Sequence, residues 1–371
     1  MTLRRFDWSF FLATLALILV GVVMIYSAYE ASLPPMDRHW TDNAVFRQLL
    51  FAGVGLIAYF FVAAIDYRHL SAFHRWTFGL VVLALGATMV IGNVAFGGQR
   101  WIRFETFGIQ PSELSKVLMI TVLARYLSGE EGSLDSPLPF LASMVLAIVP
   151  AILIYRQPNF GTALIVVVTW VGMSFLAGVR WQHIALLVCL GLVAIPVVWF
   201  QMEDYMRDRI LLFLFPDPDP SGSSYNINQA LISIGSGGLW GKGFLQGTQS
   251  QLHFLRVRHT DFIFSVLGEE FGFAGSVILI GLFAFLILRL VRIAMLARDT
   301  YGRLIAGGVA TMLLAQTVIN LGMNANILPV TGLPLPLVSA GGSSLTATLL
   351  ALGLAQSVYT HHRGFEPRSK S

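Results

Sequence analysis

The chain has 371 residues, of which 56% are hydrophobic and only 12% are charged, and its formal net charge is +4. About a quarter of the residues of a soluble globular protein are charged, so this composition excludes an ordinary soluble enzyme. Apolar segments of about 20 residues, long enough to span a bilayer, recur along the whole chain. The sequence therefore predicts an all-α polytopic membrane protein.

Ten spans are predicted within a single integral-membrane domain that covers residues 1–371. In chain order they lie at 8–28, 46–65, 76–96, 111–128, 137–155, 160–178, 182–201, 262–288, 303–325 and 337–359. The first apolar stretch follows two arginines, but it is too long for the core of a signal peptide and is interpreted as a membrane helix.

The short loops predict the orientation. With ten spans, their basic residues fall on one side, which the positive-inside rule makes cytoplasmic. These residues are Arg4, Arg5, Arg68, Arg75, Arg125, Arg180, Arg289, Arg292, Arg298, Arg303, Arg363, Arg368 and Lys370. Both termini are then cytoplasmic, and residues 202–260 form a large extracytoplasmic loop between spans seven and eight. The positive charge is thus a signal of topology and does not indicate nucleic acid.

The first polar cluster on the outer side is GGQRWIRFETFGIQPSELSK, where Arg100 and Trp101 lie in a loop. Gln110, Glu113 and Lys116 follow at a spacing of three and so share one face of span four. A carboxylate and an ammonium at membrane depth are expected to pair and to face the protein interior. Two roles stay open for the pair: positioning a functional site, or only locking two helices together.

The long outer loop contains amphipathic pieces with Arg209 in the first of them, and a glycine-rich turn, GSGGLWGKG, with Lys242. Glycines allow a ligand to approach the backbone closely, although this signal alone is weak. The spacing differs from that of a nucleotide-binding P-loop. No Walker motif and no zinc-ligand spacing occurs in the chain, so neither ATP nor zinc chemistry is indicated.

Asp261 stands at the predicted start of span eight, in RHTDFIFSVLGEEFG. One interpretation is a helix N-cap, for which aspartate is favoured. The other is a catalytic base, because Arg256, Arg258 and His259 precede it. Small residues on the same helix face permit either close helix packing or a groove for a substrate that lies partly in lipid; they are Ser265, Gly268, Gly272 and Gly275.

Several of these stretches resemble the SEDS family, which includes RodA, FtsW and a sporulation paralogue. They are QRWIRF, IQPSELSK, QPNFGT, ISIGSGGLWGKG, GTQSQLHFLRVRHTDFIFSVLGEEFG and LPVTGLPLPLVSAGGSS. Their order is that of the family, and the GTQSQL stretch is similar to the elongation branch, RodA. The chain departs from the family at Asn159, where an aspartate is usual, so no carboxylate is available at that position.

The resemblance implies a ten-helix fold related to GT-C glycosyltransferases and a peptidoglycan glycosyltransferase activity in cell-wall elongation and cell-shape maintenance. It implies lipid II as substrate, a class B penicillin-binding protein and other elongation-complex membrane proteins as partners, and the cytoplasmic membrane as location. The family's essential loop aspartate maps onto Asp261, its membrane-embedded pair onto Glu113 and Lys116, and its loop tryptophan onto Trp101.

The expected reaction is an inverting transfer from undecaprenyl pyrophosphate with Asp261 as general base. The residues expected to bind the pyrophosphate or the rest of the substrate are Arg100, Arg209, Lys242, Arg256, Arg258 and His259, with Gln110 in support. A divalent cation, Mg²⁺ or Mn²⁺, could share that task, although the sequence shows no clear ligand set. The alternatives are a lipid II flippase or another transporter, and a non-catalytic scaffold for the penicillin-binding protein.

Overall fold

The computed structural model describes residues 6–30, 43–95, 98–104, 107–129, 137–215, 225–252, 254–255 and 258–362. The helices are α1 Trp8–Glu30, α2 Ala44–Ala64, α3 His69–Ala72, α4 His74–Ile91, α5 Pro111–Ser128, α6 Pro137–Tyr155, α7 Phe160–Leu176, α8 Trp181–Gln201, α9 Asp204–Leu214, α10 Tyr225–Ser236, α11 Thr248–Gln251, α12 Ile263–Leu296, α13 Thr300–Asn324 and α14 Gly342–His361. Each predicted span overlaps one of them, with bounds that differ by up to eight residues, and the helical fold is confirmed.

Six of the described helices are long and apolar enough to cross a membrane: α1, α2, α4, α6, α12 and α13. The predicted spans at 111–128 and 337–359 correspond to α5 and α14, whose side chains are mostly buried among other helices. A helix that faces other helices does not need the uniformly apolar surface of one that faces lipid. Passage of all ten segments through the bilayer stays a prediction.

A small antiparallel sheet, which the sequence did not indicate, lies between α4 and α5 and includes residues 93–95 of the span predicted at 76–96. Its strands are β1 Asn93–Ala95, β2 Gly98–Phe104 and β3 Phe107–Ile109, in the order β1-β2-β3. Asn93 pairs with Trp101, and Ile102 with Ile109. The sheet presents Arg100 and Trp101 beside the turn between α6 and α7.

The predicted outer loop 202–260 is ordered over its described residues and contains α9, α10 and α11. α10 packs against α12, and α11 also contacts α12. The loop therefore lies against the helix that follows it, and its glycine-rich turn contacts residues 269–274 of α12.

Candidate active site around Asp261

The segment immediately before α12 is fixed through its backbone carbonyl groups. Ala340 N donates to His259 O at 2.9 Å, and Ser339 Oγ donates to Thr260 O at 2.5 Å. Both partners lie in the irregular segment between α13 and α14, which contains three prolines. Non-helical backbone at this depth needs partners from the protein, and these bonds provide them.

The backbone of Asp261 is held by two asparagines of α13. Asn320 Nδ2 and Asn324 Nδ2 donate to Asp261 O at 3.2 and 3.0 Å. α12 begins at Ile263, and its N-cap residue, Phe262, makes no side-chain capping bond. Ser265 N and Val266 N donate to Phe262 O, so the N-cap position lies one residue after Asp261 and the interpretation of Asp261 as the N-cap of this helix is wrong.

Asp261 is partly exposed. Desolvation raises the pKa of Asp261, and the positive charges of Arg209 and Arg100 and a hydrogen bond from Thr260 oppose this shift. The net direction is upward. A carboxylate with a raised pKa is a stronger proton acceptor than an exposed one.

Arg209 reaches the site from α9, where Nη1 donates to Val330 O at 3.3 Å. Gly332, two residues further, has φ +72°, a conformation that favours glycine. A methyl group at Gly332 would lie 3.5 Å from Arg209 Nη1 and 3.8 Å from Asp261 Oδ2. The backbone of Gly332 therefore borders the space between the guanidinium and the carboxyl.

Arg100 extends from β2 to the turn between α6 and α7. Its Nε donates to Gln157 O at 3.0 Å and its Nη2 donates to Pro158 O. Its charge acts on Asp261, so the structure brings Asp261, Arg209 and Arg100 together. Trp101, the next residue, is half-buried.

The Glu113–Lys116 pair is formed inside the bundle, with 2.9 Å between Oε2 and Nζ and with both side chains buried. Thr162 Oγ1 of α7 donates to Glu113 Oε1 at 3.4 Å. Asn159 accepts from Thr162 N at 3.4 Å and caps α7. These contacts join α5 to α7 and agree with a structural role for the pair.

Gln110 precedes α5 without capping it through its side chain. Its backbone N donates to Ser343 Oγ at 3.1 Å, and Ser343 Oγ donates to Gly108 O at 3.2 Å. The backbone of Gln110 therefore links the sheet to the start of α14, and a supporting role for its side chain stays a prediction.

Lys242 is held by a carboxylate of α12. Its Nζ lies 2.8 Å from Glu269 Oε1 and 2.8 Å from Thr248 Oγ1. Glu269 also accepts from Gln249 N and Ser250 N, at 2.9 and 3.3 Å. The charge of Lys242 is thus neutralised within the protein, and substrate binding by Lys242 stays a prediction.

The basic residues before Asp261 have separate surroundings. Arg258 is buried, and its Nε donates to Ala28 O of α1 at 2.7 Å; burial lowers the pKa of Arg258. Burial, followed by the charge of Arg258, lowers the pKa of His259. Arg256 lies outside the described residues. The predicted roles of these three residues in substrate binding stay untested.

α12 is interrupted at Gly272, which has φ +65° and ψ −158°. In an uninterrupted helix, Phe273 N would donate to Glu269 O and Ala274 N to Glu270 O. The backbone at Gly272 does not allow this geometry. Four polar backbone groups on the two sides of the interruption therefore need other partners.

The glycine-rich turn, residues 235–243, supplies those four partners. The bonds are Lys242 N to Glu269 O (3.0 Å), Gly243 N to Glu270 O (3.0 Å), Phe273 N to Gly238 O (2.9 Å) and Ala274 N to Leu239 O (3.0 Å). The turn is thereby inserted into the backbone ladder of α12, about 14 Å along the helix from its first residue. It holds the segment 263–271, which begins two residues after Asp261, at the end farther from Asp261.

This insertion corrects the predicted groove along the small residues of α12. Gly268 packs against Ile234, and Gly272 lies against the glycine-rich turn, so the protein's own loop covers that face. Gly275 does line an open apolar groove of about 300 Å³ between α1 and α12. The other lining residues are Leu19, Val20, Val23, Met24, Leu267, Phe271, Ile278, Leu279 and Leu282.

The chain matches the family model FTSW_RODA_SPOVE, described as "Cell cycle protein", over residues 7–364. The chain belongs to this FtsW/RodA/SpoVE family. The SEDS resemblance, drawn from motifs that include the stretch around Asp261, is confirmed.

Individual proteins agree with this family. The chain is 37% identical over 358 residues to "Peptidoglycan glycosyltransferase MrdB" of Escherichia coli K12, covering 96% of this chain and 94% of that protein. It is also similar to a chain of a solved structure described as "Structural coordination of polymerization and crosslinking by a peptidoglycan synthase complex". The TM-score is 0.81 and the identity 31%, and the match covers 96% of this chain and 98% of that chain. The crystal structure of Thermus thermophilus rod shape determining protein RodA matches with a TM-score of 0.70 and 32% identity, covering 97% of this chain and 98% of that chain.

Three residues of the site in this family member were missed by the sequence reasoning. Asn320 and Asn324 are polar residues one turn apart in the apolar segment 303–325, and polar groups at membrane depth are a signal that could have found them. Gly332 has no such signal, because its position between Arg209 and Asp261 depends on the tertiary fold.

Proposed function

We propose that this chain is a peptidoglycan glycosyltransferase that polymerises lipid II into glycan strands. The observation that carries the proposal is the Asp261 carboxyl with its raised pKa, set between the charges of Arg209 and Arg100 in a member of the FtsW/RodA/SpoVE family. The likeness to the peptidoglycan glycosyltransferase MrdB supports the same activity.

In the proposed reaction, the 4-hydroxyl of a GlcNAc residue on one lipid II attacks C1 of the muramyl residue on another. The new bond joins that oxygen to C1, and the bond from C1 to the pyrophosphate oxygen breaks. Asp261 accepts the hydroxyl proton as the bond forms. Attack on an α-linked donor gives a β-linked product by inversion, so no covalent sugar–enzyme intermediate is formed.

The departing pyrophosphate carries the developing negative charge. Arg209 and Arg100 are the described cations that act on the Asp261 carboxyl, and we assign them to this charge. In a poorly hydrated site, each fixed hydrogen-bond donor typically stabilises such a transition state by about 3–4 kcal/mol. The apolar groove between α1 and α12 could hold part of a lipid tail.

A metal ion held by the protein alone does not fit the residues that the structure describes. Among them, no group of three or more histidine, cysteine, aspartate and glutamate side chains could hold an ion. The carboxyl of Asp261 has two arginines as its charged neighbours, a setting suited to an anion. The mechanism above therefore uses no metal, and the prediction of Mg²⁺ or Mn²⁺ is tested by adding either ion after chelation.

The proposal places the protein in the cytoplasmic membrane with both termini in the cytoplasm and Asp261 on the outer side. It gives the protein a class B penicillin-binding protein as partner, within the elongation complex. The similarity to a chain of a peptidoglycan synthase complex supports a partner of this kind. The similarity to RodA supports elongation rather than division.

The test is polymerisation of purified lipid II by the full chain, with and without the penicillin-binding protein, scored as glycan length on gels. Asp261→Asn should lower the rate by about 10²–10⁴-fold, because an amide cannot accept the proton. Asp208→Asn, which removes an exposed carboxylate from α9, is the matched control and should leave the rate unchanged.

Thermal stability measured on the same samples separates chemistry from folding. The pKa of Asp261 is raised in the folded protein, so its favourable contribution to stability is present at low pH and is lost as the pH rises through that pKa. At neutral pH, Asp261→Asn should therefore be no less stable than the wild type. A stable and fully active Asp261→Asn protein would refute the assignment. Lipid II movement across vesicles without any glycan product would favour a flippase, and no activity of either kind would favour a scaffold.

A further inference from the structure

Asn324 occupies an unusual position at the start of α12. In an α-helix, the C=O of one residue accepts from the N–H four residues later, which here would pair Asp261 with Ser265. Instead, Ser265 N donates to Phe262 O at 3.1 Å and to the amide of Asn324, which lies between Ser265 N and Asp261 O. Its Nδ2 donates to Asp261 O at 3.0 Å, and its Oδ1 accepts from Ser265 N at 3.2 Å.

Every polar atom of this amide has a partner. Oδ1 also accepts from Ser265 Oγ at 2.7 Å, and Nδ2 also donates to Asn320 O at 2.9 Å. Asn324 is fully buried. Buried polar groups are retained only where they are hydrogen-bonded, so the amide fixes the separation between Asp261 O and Ser265 N.

Asn320 strengthens this arrangement from one turn earlier on α13. Its Nδ2 donates to Asp261 O at 3.2 Å and to Leu333 O at 2.8 Å. Leu333 is adjacent to Gly332, whose backbone borders the space between Arg209 and Asp261. The aspartate and the turn that faces it are therefore tied to the same helix.

We infer that Asn324 is a positioning residue for Asp261: its amide holds Asp261 O and Ser265 N apart and keeps the aspartate outside the helix, which begins with the bonds to Phe262 O. Without the bridge, Ser265 N can exchange Phe262 O for Asp261 O as its acceptor, and α12 can begin one residue earlier. Asp261 would then take the N-cap position, where a carboxylate accepts backbone N–H groups of its own helix. The inference rests on the proposed function, in which Asp261 is the base.

A simpler role for Asn324 is to hold α12 against α13. The two roles differ in what they predict for the titration of Asp261. Loss of adhesion alone would lower stability and leave the pH dependence of the surviving activity unchanged. A carboxylate drawn into the N-cap position gains N–H bonds and the positive end of the helix dipole, both of which favour its ionised form.

The charged groups around Asp261 do not reproduce this effect. Arg209 of α9 and Arg100 of β2 act on its carboxyl, and Arg258 and His259 lie on its own segment. None of them is altered when Asn324 is replaced. A change in the acidic limb of the pH–rate profile would therefore report on Asp261 itself.

The experiment measures lipid II polymerisation by the full chain, with the partner if the wild type needs it, from acidic to neutral pH. Asn324→Ala should lower kcat by about 10–100-fold with KM nearly unchanged, because a displacement of about 1 Å can reduce a rate 10²-fold. The acidic limb should move to lower pH. Asn324→Ser, whose hydroxyl is too short to bridge both backbone groups, should behave in the same way and replaces the alanine variant if that one does not fold.

Thr317→Ala is the matched control. It removes a buried polar side chain from the same helix, but the bond lost, to Leu313 O at 2.8 Å, lies within α13. It should keep the wild-type profile. A folded Asn324 variant with the kcat and acidic limb of the wild type would overturn the inference. The proposed function fails separately, if the wild type makes no glycan or Asp261→Asn remains active.

Discussion

The insertion of the glycine-rich turn into α12 can be tested with two glycines of that turn. Gly238 and Gly241 both have positive φ angles, +55° and +80°. A methyl group on Gly241 would lie 2.1 Å from Glu270 O, a distance that backbone atoms cannot accept, whereas one on Gly238 meets nothing within 4 Å. Alanine at either site loses stability because of the positive φ. Only Gly241→Ala also clashes with α12 and pushes the turn out of the helix.

The difference between the two variants can be worked out from the hydrogen bonds. An alanine with positive φ costs about 1–2 kcal/mol at both positions. Expulsion of the turn also removes the four backbone bonds between the turn and α12. At about 0.5–1.5 kcal/mol for each bond, the additional loss is about 2–6 kcal/mol. The Lys242–Glu269 pair would be strained as well, which adds to this difference.

The assay is thermal unfolding of both variants and of the wild type in the same detergent, together with the rate of lipid II polymerisation. Gly241→Ala should be clearly less stable than Gly238→Ala. Its polymerisation rate should also fall, because the segment 263–271 loses the hydrogen bonds that hold it at the end farther from Asp261. Equal stability and equal rates for the two variants would refute the view that the inserted turn holds α12.

Three further predictions concern the site and its supports. Lys116→Ala leaves Glu113 unpaired in the bundle and should cost about 3–5 kcal/mol of stability. Adding Glu113→Gln to this variant should partly restore expression and activity. A double mutant whose loss equals the full sum of the two single mutants would show that the residues do not interact. Gly332→Ala should raise KM for lipid II, because the methyl group enters the space beside Asp261. Gly178→Ala is the control, since Gly178 has φ +86° and open space around it, and this variant should keep the wild-type KM. The same KM in both variants would contradict the position assigned to Gly332. Because the pKa of Asp261 is raised, the rate should fall as the pH decreases through a value above the ordinary aspartate value of about 3.9, and an acidic limb at or below that value would be the opposite result.

The membrane character of the chain and the positions of its helices could be predicted from the sequence, because apolar segments of about 20 residues are a local signal. Hydropathy was less informative for α5 and α14. Both carry many polar side chains and are buried among other helices, so their composition reflects protein neighbours rather than lipid. Length and motif order still placed them.

The role of Asp261 could not be decided from local patterns, because aspartate before a helix is most often its cap. The residue that displaces it from that role, Asn324, is 63 positions away in the sequence. The small residues of α12 gave a similar ambiguity. A stripe with Gly268 and Gly272 permits close approach, but it does not indicate whether lipid, a substrate or the protein's own loop fills the space.

The segment 263–271 is held at both ends by groups that are inserted into the helical ladder of α12. At its start, the side-chain amide of Asn324 lies between Asp261 O and Ser265 N. At its end, backbone groups of the glycine-rich turn occupy the interruption at Gly272. An ordinary continuous helix would satisfy the same backbone groups with fewer long-range contacts, and it would set the position of the segment through the rest of α12. Here α13 and the outer loop set that position instead, so the location of Asp261 depends on the elements that also carry Arg209 and border the substrate space.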